Sequence, residues 1–240
     1  MTIDGRKIQA EPGDMLLRVA RNNNIDIPGL CENEAVAPYG ECRLCVVDIT
    51  TTDGKNRTAT SCNFPVEEGL VVKTSTEKVN KTRTKLLELM LARCPDSAQI
   101  KKLAGQYGLA EPKKKQEVDN HNCILCALCA RVCSEVVGVS AITINGRGTS
   151  RNVADAFDMS KLDACIACGS CAYVCPTGAI ELGQEGGTRT FTWPTATKEF
   201  KMKKCDTCVT YWAPVKQIEY IAKLSGTDIA EYANCPDCRK

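Results

Sequence analysis

Cysteine supplies most of the chemistry this sequence can do. Of its 17 cysteines, 14 lie in tight groups with two or three residues between neighbours, around Cys42, Cys123, Cys165, Cys205 and Cys235. Loops so short are poor disulfide partners but good arrays for thiolate–metal bonds. A disulfide scaffold in an oxidising compartment is the competing reading of so many cysteines, and the spacing decides against it. Met1 to Gln9 mixes Asp4, Arg6 and Lys7 without an apolar core, so no signal peptide is expected. Nor is any uninterrupted apolar stretch long enough to cross a bilayer, and the expectation is a cytoplasmic protein with no transmembrane segment. A formal net charge of +2 gives no reason to expect nucleic acid as a partner, and Lys113–Lys115 and Lys198–Lys204 read as solvated segments.

Cys31, Cys42, Cys45 and Cys62 form the pattern C-x10-C-x2-C-x16-C. Four thiolates suffice for a [2Fe-2S] cluster, and a loop wrapping three of them with a distant fourth is the plant-type arrangement, though with a longer first gap. Gly40 precedes Cys42, where a missing Cβ lets backbone amides turn toward sulfur. Tetrahedral zinc is the alternative, but one close pair with two isolated ligands suits zinc less well than two knuckles.

The most specific signal is an eight-cysteine repeat of period 42: Cys123, Cys126, Cys129 and Cys133, then Cys165, Cys168, Cys171 and Cys175-Pro176. Each run matches that of bacterial two-cluster ferredoxins, in which the fourth cysteine serves the other cluster. One [4Fe-4S] site is therefore expected from Cys123, Cys126, Cys129 and Cys175, and the other from Cys165, Cys168, Cys171 and Cys133. Ser134 stands where Pro is expected after the first run and permits a longer turn, in keeping with the 31 residues before Cys165. His121, two residues before Cys123, reads as a surface or supporting residue because cysteines already fill the site.

Cys205, Cys208, Cys235 and Cys238 make two C-x2-C knuckles 26 residues apart. Structural zinc favours this arrangement, and a third [4Fe-4S] cluster is the competitor. These sites take sixteen of the 17 cysteines, leaving Cys94 as a buried or partly buried free thiol.

The elements that must position these ligands predict an α+β chain. Residues 1–76 read as a small unit with a hairpin through Asp4-Gly5, a helix after Asp14 as N-cap, and strands at Cys45–Ile49 and Leu70–Thr74. Residues 77–118 form a helical linker, with helices at Glu77–Arg93 and Ser97–Tyr107 and a polar connection at Glu111–Glu117. Residues 119–187 hold the two-[4Fe-4S] unit, and 188–240 a small four-cysteine unit, zinc-ribbon-like, that opens on an exposed strand at Thr188–Trp193. With aromatics at 5%, metal crosslinks must replace part of an ordinary core.

Asn24–Cys31, Gly40–Val47, Ser61-Cys62 and Glu68-Gly69 resemble the N-terminal [2Fe-2S] domain of the complex I 75 kDa subunit. The same domain occurs in the diaphorase small subunit of NAD-linked [NiFe] hydrogenases and in electron-bifurcating hydrogenases. The resemblance implies a β-grasp fold and a cluster wired to a flavin-binding NADH dehydrogenase subunit with a thioredoxin-like [2Fe-2S] companion. That family follows the domain with a His and three cysteines for a further cluster. Here the chain reads Leu91-Ala92-Arg93-Cys94-Pro95-Asp96, so that cluster is expected to be absent.

There is no phosphate-binding loop, no Rossmann fingerprint and no nucleophile paired with a base, so no substrate site is expected. The expected function is one-electron transfer between a flavoprotein and a catalytic module, by resemblance a [NiFe] hydrogenase. A formate dehydrogenase module is the alternative, as is a freestanding polyferredoxin. A zinc-dependent adaptor is a third class, which would make the eight-cysteine repeat a coincidence.

Overall fold

The computed structural model describes residues 1–112, 117, 122–154 and 162–239, which fall into two compact units, Met1–Cys126 and Ala127–Lys240. His121 and Lys113–Lys115 lie outside the described residues.

In the first unit, β1 (Thr2–Ile3) and β2 (Arg6–Lys7) pair across a turn in which Asp4 and Gly5 both take positive φ. Helix α1 (Leu16–Asn22) follows, then β3 (Val46–Thr50), β4 (Asn56–Thr60) and β5 (Val71–Lys73), and the sheet runs β2-β1-β5-β3-β4. Strands β1 and β5 are parallel and every other pair is antiparallel. Leu16, Leu17, Val19 and Ala20 of α1 join Ile3, Val47, Ile49 and Val72 of the sheet in one core. Asp14 does not cap α1: its carboxylate accepts from the Glu11 amide at 3.1 Å, while the Leu16 N–H donates to the Phe64 carbonyl at 2.9 Å. A tertiary backbone partner has replaced the side-chain cap. Strand β4, rich in Asn, Arg and Thr, carries no apolar alternation and was not expected.

Helix α2 (Glu77–Arg93) has the expected limits, with Thr76 as N-cap on the Val79 amide. Its buried stripe is Val79, Arg83, Leu87 and Leu91, while Leu89 is exposed. An arginine therefore occupies one of the four inward positions. Helix α3 (Ala98–Gln106) is capped by the Ser97 hydroxyl.

The second unit begins with α4 (Leu128–Arg131), which runs into a wider turn over Val132–Val136, then the ribbon β6 (Thr143–Asn145) and β7 (Asn152–Ala154), and α5 (Ser170–Tyr173). An antiparallel meander follows, β8 (Glu181–Glu185), β9 (Thr188–Trp193), β10 (Ala196–Lys204) and β11 (Tyr211–Pro214), closed by α6 (Val215–Ser225). The β8–β9 hairpin spans residue 187, so one sheet carries the chain from the second cysteine run to the C-terminal knuckles. Thr188–Trp193 is not an exposed strand. Phe191 and Trp193 are buried and stacked with ring centroids 5.0 Å apart, and Phe200 of β10 meets Phe191 edge-on at 6.0 Å. Strand β9 is flanked on both sides, which makes its aromatic face a core face.

Candidate metal centres

All 17 cysteines are free of disulfides. The first group is held by the loop between α1 and β3 and by the short turn Ser61–Asn63. Cys31, Cys42, Cys45 and Cys62 are all buried. Gly40 at φ 81° and Arg43 at φ 60° turn the backbone inward. The Cys42 amide donates to Cys31 Sγ at 3.3 Å, and the Leu30 amide to Cys42 Sγ at 3.4 Å. The Ser61 hydroxyl and amide both donate to the Cys45 carbonyl, tying the fourth ligand's turn to the third. Bonds from the Cys42 and Cys62 thiols pull Cys31 down to about 2, and their partnership with Cys31 pushes Cys42 and Cys62 upward. Buried thiols this close cannot all ionise without a cation among them, so a cationic iron–sulfur core fits the donor set.

Arg83 braces this loop. Its guanidinium is buried and donates to the carbonyls of Leu44 at 3.1 Å and Val46 at 2.7 Å, on either side of Cys45, and to the Tyr107 hydroxyl at 3.3 Å. Sequence reasoning missed this residue; the signal was an arginine in register with Val79, Leu87 and Leu91.

Arg93 stands at the end of α2 and donates to the Cys123 carbonyl at 3.1 Å. Cys94 is fully buried, and burial, with the Cys123 thiol nearby, pushes it up to about 12.

The eight-cysteine repeat is visible in the backbone. Leu125 and Ala167 take φ of 55° and 58°, and Ala127 and Gly169 take 64° and 95°, ahead of the equivalent helices α4 and α5. Three of these four are not glycine, and such strained turns persist where the surroundings over-determine them. In the first run the Ala141 amide returns to Cys133 Sγ at 3.2 Å, eight residues on; in the second the Ala179 amide reaches Cys175 Sγ at 3.2 Å after four. The longer first return is the turn that Ser134 was expected to permit.

Cys133, Cys165, Cys168 and Cys171, one of the two expected four-iron sets, line a single small cavity with Val137, Ile142 and Phe191. The Ala167 amide donates to Cys165 Sγ at 3.4 Å. Burial pushes Cys165 up to about 11 and Cys171 to about 12. The other expected set has Cys123 and Cys126 in the first unit and Cys129 and Cys175 in the second.

Cys205, Cys208, Cys235 and Cys238 converge so that their sulfurs all lie within 4.8 Å of one another, with Cys208 and Cys235 3.7 Å apart. Among the described residues no other three cysteine, histidine or acidic side chains come together closely enough for one ion. A tetrahedron with 2.3 Å metal–sulfur bonds has edges of about 3.8 Å. A cubane places each cysteine on a different iron and spreads the sulfurs farther apart, so this spacing fits a single tetrahedral ion. The register of β10 on β11 shifts at Lys203/Lys204 and aims Cys205 inward. Val209 at φ 56° closes the first knuckle, and the Cys235 amide donates to Cys205 Sγ at 3.3 Å. Against burial, the amides of Cys208, Cys235 and Thr207 hold Cys205 down at about 6. The interval between the knuckles opens with β11 before α6.

Residues 1–77 match the 2Fe-2S iron-sulfur cluster binding domain, and residues 122–179 and 158–211 each match a 4Fe-4S dicluster domain, the two sharing the second cysteine run. Over 203 residues the chain is 34% identical to the NADPH-Fe(3+) oxidoreductase subunit alpha of Geobacter sulfurreducens, covering 75% of this chain and 24% of that protein. It is 32% identical to the NADP-reducing hydrogenase subunit HndD of Solidesulfovibrio fructosivorans (75% of this chain, 35% of that one). It is 26% identical to the mitochondrial NADH-ubiquinone oxidoreductase 78 kDa subunit of Neurospora crassa (75% and 27%). The chain thus spans between about a quarter and a third of the length of these relatives. A crystal structure of an NAD+-reducing [NiFe]-hydrogenase in the H2-reduced state contains a chain that superposes with a TM-score of 0.62 at 29% identity, covering 74% of this chain and 84% of that one. The resemblance read from Asn24–Val47 to complex I and hydrogenase chains holds across these domains.

Proposed function

We propose, from this likeness to the iron–sulfur parts of NAD(P)-linked oxidoreductases and hydrogenases, that the chain is an electron-transfer subunit carrying one [2Fe-2S] and two [4Fe-4S] clusters. The observation that carries the reading is the repeat itself: equivalent left-handed turns recur at a fixed offset within a run of eight cysteines. Cys31, Cys42, Cys45 and Cys62 would hold the [2Fe-2S] cluster. Cys123, Cys126, Cys129 and Cys175 would hold one [4Fe-4S] cluster, and Cys165, Cys168, Cys171 and Cys133 the other. Such clusters supply the one-electron chemistry when bound; the chain's own part is to bury them, aim amides at their sulfurs and fix their spacing.

The finer reading is a subunit of a diaphorase-linked or electron-bifurcating [NiFe] hydrogenase. It would pass electrons between a flavin-binding NADH dehydrogenase subunit, with its thioredoxin-like [2Fe-2S] companion, and a hydrogenase module. The crystallised [NiFe]-hydrogenase relative supports that choice. Cys205, Cys208, Cys235 and Cys238 would hold structural zinc, supported by sulfur separations suited to one ion. Among the described residues no helix is long and apolar enough to cross a membrane.

Metal analysis with EPR of the chain, purified with whatever stays bound at high salt, tests this reading. The expected result is about ten irons and about one zinc per chain, two reduced cluster types, and a co-purifying flavoprotein. Iron near fourteen without zinc would overturn the C-terminal assignment, and a chain that elutes alone would favour a diffusing carrier.

A further inference from the structure

The cavity lined by Cys133, Cys165, Cys168 and Cys171 is walled by more than its own loops. Two cations, from the meander and α6, fasten the loop that carries its cysteines. Arg189 on β9 donates through Nη1 to the Ala167 carbonyl at 3.0 Å, between Cys165 and Cys168. Lys216 on α6 donates through Nζ to the Asp163 carbonyl at 2.9 Å, two residues before Cys165. Trp193, also on β9, is buried, stacked on the cavity-lining Phe191, and its indole Nε1 has no hydrogen-bond partner among the described residues. A buried indole N–H ordinarily finds an acceptor. The indole N–H of Trp193 is thus a donor held behind Phe191 with no acceptor among the described residues, and the two cations are bonded to the backbone on either side of Cys165. Two positive charges and one unpaired N–H, all supplied by sequence beyond residue 188, are thus brought to the loop of the three-cysteine run and the wall beside it.

We propose that Arg189, Trp193 and Lys216 act as positioning residues that set the reduction potential of the [4Fe-4S] cluster held by Cys165, Cys168, Cys171 and Cys133. The proposal rests on that cluster assignment. Hydrogen bonds to cysteine sulfur and nearby positive charge stabilise the more negative, one-electron-reduced state, and burial in an apolar cavity strengthens both effects. The meander is thereby a potential-setting wall as well as a scaffold for the C-terminal thiolates.

The test is an EPR-monitored redox titration of the whole chain, wild type against Trp193→Phe, Arg189→Gln and Lys216→Gln, with iron and sulfide measured in each. Phenylalanine keeps the stack on Phe191 and removes only the N–H. One of the two [4Fe-4S] clusters should become harder to reduce by about tenfold in Trp193→Phe, about 59 mV for a one-electron couple, and by less in each charge variant. The other [4Fe-4S] cluster and the [2Fe-2S] cluster should not move. An unchanged potential at full iron content overturns the proposal while leaving the cluster assignment standing; a wild-type chain without two [4Fe-4S] signals overturns the assignment itself. If Trp193→Phe loses its cluster, the charge variants decide: a lowered potential in Arg189→Gln or Lys216→Gln supports the proposal, and unshifted potentials in both overturn it.

Discussion

Single residues do different work around these sites, and their substitutions separate by mechanism. Gly40 takes φ 81°, and an added Cβ would sit 2.9 Å from Asn63 Nδ2, one residue from Cys62. Gly40→Ala should cost about 1–2 kcal/mol, from the left-handed backbone and the displaced amide. A lowered melting temperature and faster bleaching of the [2Fe-2S] absorbance would show it. Cys94 behaves otherwise. Its thiol is raised to about 12 from 9.0 by burial and the nearby Cys123. A proton held more tightly in the folded state contributes stability that is fully present below the unfolded value and lost as pH rises toward 12. Cys94→Ala should flatten the alkaline side of the stability profile, cost about 1 kcal/mol at neutral pH and leave iron content unchanged. Denaturation curves at pH 8 and 10.5 measure the difference. Iron that fell with this substitution would make Cys94 a ligand.

Among the elements, α2 shows how a helix serves a site it does not line. Its inward stripe delivers the Arg83 guanidinium to the carbonyls of Leu44 and Val46, fastening the strand that follows Cys45. Arg83→Met keeps the length and loses charge-assisted bonds, leaving two carbonyls without this donor. The expected loss is about 2–3 kcal/mol, read by chemical denaturation, with looser retention of the [2Fe-2S] cluster. The limits of α2 were legible because the apolar spacing and Pro95 are local signals; its buried arginine was not, since a charge at a core position looks like a break in the pattern. The same division runs through the sites. Cysteine spacing is local, and it was enough to expect Cys205, Cys208, Cys235 and Cys238 to converge. Strand β4 and the buried face of β9 depend on partners distant in sequence: polar β4 is held by β3, and the Thr-rich β9 lies between two neighbours. Alternation of Thr with Phe and Trp reads as exposed until the strands on either side are known.

For the molecule as a whole, the meander runs through residue 187, where the sequence suggested a seam. A chain ending at Gly187 would retain all twelve cysteines proposed for iron. It would also lose β9, and with it Phe191 from the cavity wall and Trp193 behind it. Such a chain should bind about six irons instead of about ten, keeping the [2Fe-2S] and one [4Fe-4S] signal; a full complement would show the wall to be dispensable. Cys205 directly follows β10, and β10 is hydrogen-bonded along its length to the strand that carries Trp193. On the proposed reading, an ion closing the four C-terminal thiolates would anchor the end of that sheet, and with it the wall of the chamber that receives the iron. A cell short of the first metal would then make a chain poor in the second, whatever its supply of iron.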